Sequence, residues 1–207
     1  MRPESAQPLD ISKPWQHWPD MQAGATVRGT TTVFRAPAPE SEMAAQLDAS
    51  PTLAALKLNR YIGLCFVVDA SGCNAEITSA TMLKLFAEVE ELLPNGMVPQ
   101  RVLIKTGFDC NLSANYPCLT PDALLFLLAK GILLVGTDCP SIDLPEGHAI
   151  NEMFMQSHKM VWVVNLNLSE VKPLRPYILS ALPLIPGATG QVPTRAILIP
   201  IGPGEDA

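Results

Sequence analysis

The sequence predicts a mixed α/β fold in a single domain, built around one central sheet. Three observations carry this. Nearly continuous apolar runs of strand length recur at 61–69 (YIGLCFVVD), 101–106 (RVLIKT) and 132–136 (ILLVG), the pattern of strands covered on both faces. Stretches with helical spacing of apolar residues lie between them, each followed by a Gly- or Pro-containing stop. Near both ends, strand-like segments follow one another without a helix between, so the sheet is mixed and not purely parallel.

Taken in order, residues 1–8 read as a flexible tail and 9–207 as the domain, with a short strand at 9–12. Pro14-Trp15-Gln16-His17-Trp18-Pro19 is an aromatic, proline-rich loop. The β-branched and aromatic run Thr30-Thr31-Thr32-Val33-Phe34 predicts a strand over 26–34, ended by Ala36-Pro37-Ala38-Pro39. Residues 40–56 are Ala-rich, and Pro51 splits them into two short helical pieces. Thr78 caps a helix to residue 93 with apolar points at Met82, Leu85, Phe86, Val89 and Leu92, stopped by Pro94-Asn95-Gly96. Thr120-Pro121-Asp122 opens the next helix, with Pro at its first position and Gly131 closing it. A further helix over 151–158 precedes a strand at 161–166. Strands at 177–184 and 195–200 are joined through Gly187 and Gly190. Neither an internal repeat nor a Gly/Ser-rich linker divides the chain.

Hydrophobic residues make up 48% of the chain and charged residues only 16%, which predicts a sizeable core and a homo-oligomer that hides part of the surface. The net charge of −6 and the lack of any Lys/Arg cluster argue against nucleic acid as a partner. The apolar runs fall short of the ~20 residues that span a bilayer, and the N-terminus lacks a basic-then-apolar signal pattern. A soluble cytoplasmic protein with no membrane partner is expected. The five cysteines have no CxxC spacing and read as free, mostly buried thiols, not as a zinc site.

The order of these pieces resembles the cyclase family that includes kynurenine formamidase. Leu9-Asp10-Ile11-Ser12 followed by Trp18-Pro19 resembles the family's opening strand and Trp-Pro turn, and Tyr61-Ile62-Gly63 with Val67-Val68-Asp69 the strand after its metal motif. Val102-Leu103-Ile104-Lys105-Thr106-Gly107 is similar to its strand ending in a basic residue, Thr and Gly. Tyr116-Pro117 and Leu119-Thr120-Pro121 are similar to its helix entry. Gly136-Thr137-Asp138-Cys139-Pro140-Ser141-Ile142-Asp143 matches a G-[IT]-D-x-P-S-x-D signature. Leu182-Pro183-Leu184 with Gly187, Gly190, Pro193 and Arg195 resembles the closing hairpin.

The resemblance implies a barrel-like mixed sheet with flanking helices, in homodimers or homotetramers. It also implies an active site around H-x-G-T-H-x-D-x-P-x-H, completed by a later His and by the Glu of an E-N-L context. Such imidazole and carboxylate ligands suit Zn²⁺ or Mn²⁺. Here the first motif region reads Phe34-Arg35-Ala36-Pro37-Ala38-Pro39-Glu40-Ser41-Glu42-Met43, without a histidine. Aligned on the second, Val164 stands at the Glu position, before Asn165-Leu166, and Glu152 at the His position. The chain's three histidines, His17, His148 and His158, lie off the ligand positions. The expectation is therefore a chain with no metal ligands and no cofactor.

Several residues remain as chemical candidates. Asp138, at the end of a buried strand, is either a carboxylate that positions substrate or acts as base, or a bond that holds the following turn. Glu152 is either a desolvated acid/base group in the former metal site or a first-turn Glu favoured by the helix dipole. His148 sits on a loop with a side chain suited to proton transfer, or is simply solvated. Lys105 and Tyr116 are candidates for contacting an anionic or phenolic substrate, and Trp15 and Trp18 for walling the site or a subunit interface. His158 reads as structural, Glu40 and Glu42 as solvated or as an acid/base pair, and Cys139 only weakly as a nucleophile. The function expected is a metal-independent, cyclase-type enzyme. It would close or open a ring, or perform a related acid/base step, on a small, partly aromatic carbonyl substrate. The alternatives are a non-catalytic binding module and an arylformamidase-type hydrolase with a relocated metal.

Overall fold

A computed structural model describes residues 9–10, 32–35, 58–73, 75–93, 99–109, 115–143, 150–183 and 191–201. Strands β3 (Ile62–Asp69), β5 (Arg101–Lys105), β7 (Leu134–Thr137) and β8 (Val161–Val164) form the parallel centre of the sheet. Antiparallel partners flank it: β2 (Thr32–Arg35) beside β8 and β9 (Pro176–Pro183) beside β3. The long β10 (Gln191–Pro200) pairs with β9 along most of its length and with β2 at its start, which curls the sheet into a half-barrel. Strand β1 (Leu9–Asp10) adds to β10. A separate two-stranded parallel ladder joins β4 (Glu76–Ile77) to β6 (Cys118–Leu119).

Alternation along the strands sends side chains to two cores. Phe66, Val68, Val102, Ile104, Val135, Trp162 and Val164 face the helices α1 (Ser79–Leu92), α2 (Pro121–Ala129) and α3 (Ile150–Ser157). Cys65, Val67, Leu103, Leu134, Val161 and Val163 face the inside of the curl, with Leu179, Ala181, Ala196 and Leu198 of β9 and β10. Gly136 belongs to this inner layer. A Cβ there would lie 2.3 Å from Leu103 Cδ2 and 2.8 Å from Leu166 Cδ1, so the leucines fill the space that its missing side chain leaves.

The helix ends follow the chemistry read from the sequence. Thr78 Oγ1 accepts from the Thr81 N–H at 3.3 Å at the start of α1. Helix α2 begins on Pro121 and ends as Gly131 turns left-handed (φ 76°). There the Gly131 and Ile132 N–H groups donate back to Leu128 and Leu127 at 3.0 Å each. That closure spends Ile132 on the helix end, so the strand expected at 132–136 is Leu134–Thr137. The strand expected at 161–166 stops at Val164, because Asn165 takes a left-handed backbone. The final strand is longer than expected, and β4, β6 and a 3-10 turn at Leu58–Arg60 are additional. The helical pieces expected at 40–56 lie outside the described residues.

Candidate functional site at the strand ends

The parallel strands bring their carboxyl ends to one edge of the sheet, the edge where α/β proteins place ligands. Asp69 ends β3, Lys105 ends β5, Asp138 and Cys139 follow β7, and Asn165 follows β8.

Asp138 is buried, and its carboxylate gathers the turn that leaves β5. It accepts the Thr106 N–H at 3.1 Å, the Thr106 hydroxyl at 2.6 Å and the Gly107 N–H at 2.9 Å. Thr106 Oγ1 in turn accepts the Phe108 N–H at 3.2 Å and lies 3.2 Å from Cys139 Sγ. Gly107 has φ 71°, a conformation that glycine takes without strain. The carboxylate thus sets the path of the Thr106–Phe108 turn, which leaves the neighbouring strand β5 and is a different turn from the Pro140 turn that the sequence suggested.

The same stretch continues into a second set of bonds. The Asp143 N–H donates to Ser141 Oγ at 3.0 Å. The Asp143 carboxylate accepts the first-turn N–H groups of α3, from Asn151 at 2.8 Å and Glu152 at 3.1 Å. Asp143 therefore caps α3 from outside the helix. Asn151 is buried and donates both side-chain protons, to Leu119 O at 2.6 Å and Ile142 O at 2.8 Å. Glu152 is half-buried on this first turn, tied through its backbone to Asp143. Tyr116 packs edge-on against Phe108, with ring centres 5.6 Å apart. Burial pushes its phenol above the ordinary range, a Ser141 hydrogen bond works against this, and nearby Cys139, Cys118 and Asp143 add to the rise.

Lys105 sends its ammonium to the Ser169 and Val171 carbonyls at 3.0 Å each, so it braces the segment after β8. Across from it, burial raises Asp69, but the Ser71 hydrogen bonds and the Lys105 charge outweigh this and hold its carboxyl below the usual range. Burial pushes the Cys65 and Cys118 thiols up, the wrong direction for a nucleophile. The structure thus gathers Asp138, Tyr116 and Glu152 through the Thr106–Phe108 turn and the 138–143 stretch, with Lys105 on the neighbouring strand end. Trp15, Trp18 and His148 lie outside the described residues, as do His17, Glu40 and Glu42.

The metal implied by the family resemblance does not fit these residues. Val164, at the Glu position of the E-N-L strand, is a hydrocarbon 5% exposed within the helix-facing core. Among the described residues no group of three or more His, Cys, Asp or Glu could hold an ion. The first motif region begins in β2 and then runs outside the described residues, and its sequence offers no imidazole.

Sequence reasoning did not single out Asp143, Asn151 or Asn165 as individuals. Asp143 was visible only as the last letter of the G-T-D-C-P-S-I-D block, and Asn165 only as the middle letter of the E-N-L alignment. Nothing local marks Asn151, one of whose side-chain partners, Leu119, lies before α2.

Comparison with known proteins agrees with this architecture. A "potential metal-dependent hydrolase with cyclase activity" superposes with a TM-score of 0.70 at 21% identity, covering 95% of this chain and 99% of that one. A predicted metal-dependent hydrolase from Bacillus stearothermophilus gives a TM-score of 0.70 at 21% identity, over 93% and 97% of the two chains. An isatin hydrolase bound to the product analogue thioisatinate gives 0.67 at 19% identity, over 94% and 93%. At these identities the likeness establishes the fold. No described helix is long and apolar enough to cross a membrane. The Cyclase family model matches residues 8–144, about two thirds of the sequence, and this chain is a member of the cyclase family.

Proposed function

We propose that this chain is an enzyme on the cyclase scaffold that opens or closes a ring at an activated carbonyl of a small, partly aromatic compound, using its own acid/base groups and no metal. The observation that carries the reading is the contrast at the strand ends. The polar strand-end frame around Asp138 and Asp143 is intact, while the Glu position of the metal set is a buried valine. The isatin hydrolase neighbour supports the substrate class, since isatin is a small aromatic ring bearing two adjacent carbonyls.

In the ring-opening direction, Glu152 takes a proton from water as the water oxygen bonds to the ring carbonyl carbon. The carbon–nitrogen bond then breaks, and the nitrogen leaves with the proton from Glu152. The product is an aminoaryl carboxylate plus one released proton. His148 serves as a second proton-transfer group. Asp138 positions the Thr106–Phe108 turn, and Tyr116, Lys105, Trp15 and Trp18 surround the substrate. One general acid/base group contributes about 10²–10⁴-fold, and holding the reacting groups in place contributes at least as much. That is enough for an activated ring carbonyl and too little for an ordinary amide.

The test is isatin opening followed by ultraviolet absorbance, on protein whose metal content is measured by elemental mass spectrometry before and after EDTA. Turnover that survives EDTA at less than about 0.1 metal per chain, and falls at least ~10²-fold in Glu152→Gln, is the expected result. Turnover restored only by added Zn²⁺ or Mn²⁺ would overturn the metal-free reading in favour of a relocated site. Binding of thioisatinate without turnover would favour a non-catalytic module.

A further inference from the structure

The strand-end frame holds one buried amide that it does not use. Asn165 is only 8% exposed, and its Nδ2 is fully buried with no hydrogen-bond partner among the described residues. Buried polar atoms are almost always satisfied, so each exception asks for a reason. The fold can satisfy a structural asparagine, as it does for Asn151, whose amide donates to two carbonyls at 2.6 and 2.8 Å. Asn165 receives no such treatment.

Its backbone is also held in an uncommon state. Asn165 has φ 59°, in the left-handed region, where Asn is tolerated better than most side chains. The position is fixed by the chain around it. Its N–H donates to Cys139 O at 2.8 Å, and the next N–H, of Leu166, donates to Thr137 O at 3.0 Å. These two bonds bracket Asp138, so the backbone of Asn165 is pinned next to the strand end whose carboxylate clamps the turn after β5. An uncommon backbone at a ligand-binding edge, holding an unspent donor, is a recurring feature of functional sites.

We infer that Asn165 Nδ2 is the donor that receives the substrate's carbonyl oxygen, and that it holds that oxygen as negative charge develops during addition to the carbonyl carbon. A neutral donor serves an uncharged carbonyl well and makes no demand for a counter-ion. The inference rests on the proposed carbonyl chemistry and adds a residue to it. Loss of one such preorganised donor lowers turnover by about 10²–10³-fold.

Two variants and one spectroscopic probe decide the matter. Asn165→Gly keeps the left-handed backbone and deletes the amide, and Asn165→Asp keeps the shape and deletes the donor. Asn165→Gly is expected to melt within a few degrees of the parent, because no internal bond is lost, while both variants lose about 10²–10³-fold in isatin turnover. A fall in melting temperature of about 10 °C or more in Asn165→Gly, the size of a lost buried network, would make the amide structural and overturn the inference. The Asn165 side-chain ¹⁵N–H₂ signals, assigned by their absence in Asn165→Gly, are then followed as isatin, thioisatinate and acetanilide are added. If the parent ignores isatin but the signals move with acetanilide, the proposed substrate fails and the carbonyl donor stands. If they move with none of the three, the donor role fails.

Discussion

Replacing Asp138 separates a carboxylate that holds the fold from one that only does chemistry. In Asp138→Ala the Thr106 N–H, the Thr106 hydroxyl and the Gly107 N–H all lose their acceptor. The hydroxyl can turn toward Cys139 Sγ, 3.2 Å away, and the exposed Gly107 can find water. The buried Thr106 N–H has no such escape. Hydrogen bonds to a charged group contribute about 1.5–3 kcal/mol each, and a stranded buried donor costs about 1–3 kcal/mol. With partial rescue of two donors, the loss comes to roughly 3–5 kcal/mol, or about 10 °C in melting temperature for a chain of this length. Asp138→Asn keeps one good acceptor and gives up the charge, so about half of that loss is expected. Urea unfolding followed by circular dichroism measures both. An Asp138→Ala midpoint within about 1 kcal/mol of the parent would refute the clamp. If turnover vanished in that same stable variant, the carboxylate would belong to the reaction instead.

Two further outcomes follow from other parts of the fold. Asp122, in the first turn of α2, accepts the N–H of Ser79 at the start of α1 at 3.0 Å. Hydrogen bonds from the Ser79 hydroxyl, from Thr120 and from the Ser79 N–H hold its carboxyl well below the usual range. A carboxyl depressed in the folded state stabilises above its unfolded pKa of about 4 and loses that contribution as the pH falls through the folded value. The melting-temperature gap between parent and Asp122→Asn should therefore be widest at neutral pH and shrink steadily below about pH 4; a gap independent of pH would contradict the assignment. Gly136→Ala drives a methyl into Leu103 and Leu166, at 2.3 and 2.8 Å. Overpacking of this kind costs about 1–3 kcal/mol. Urea midpoints should show part of it recovered when Leu103 is shortened to Val, and equal losses in both backgrounds would mean that the strain lies elsewhere.

Where a signal was local, the sequence carried it. Thr78 and Gly131 terminate their helices as their side chains and backbone preferences require, and the apolar runs at 61–69 and 101–106 are the central strands. The ladder of β4 with β6 was not legible, because two residues contain no period to read. Nor was the end of β8, because Val-Val-Asn-Leu reads as strand until the bond from Asn165 to Cys139 turns the chain. At the site, the sequence suggested for Asp138 only a bond to the Pro140 turn that follows it. Its actual partners, Thr106 and Gly107, are thirty residues away, and only the parallel register of β5 and β7 brings them together. The orphan amide of Asn165 is likewise a property of the assembled strand ends.

The bonds of the strand-end frame do not depend on the position that the family resemblance assigns to a metal-binding Glu. They run from segment to segment: Asp138 to the turn after β5, Asp143 to the first turn of α3, Lys105 to the segment after β8. None of them passes through Val164, which instead joins Trp162, Val135 and Met155 in the helix-facing core. A carboxylate at that buried position, without a cation beside it, would carry a heavy desolvation cost. Once the imidazoles of the first motif are gone, an apolar residue at the E-N-L position is therefore the stable choice, and the frame around Asp138 is left undisturbed. On the proposed metal-free reading, the chemistry comes from groups the frame already presents, and an unused buried donor on the next residue, Asn165, weighs more there than it would beside a bound metal.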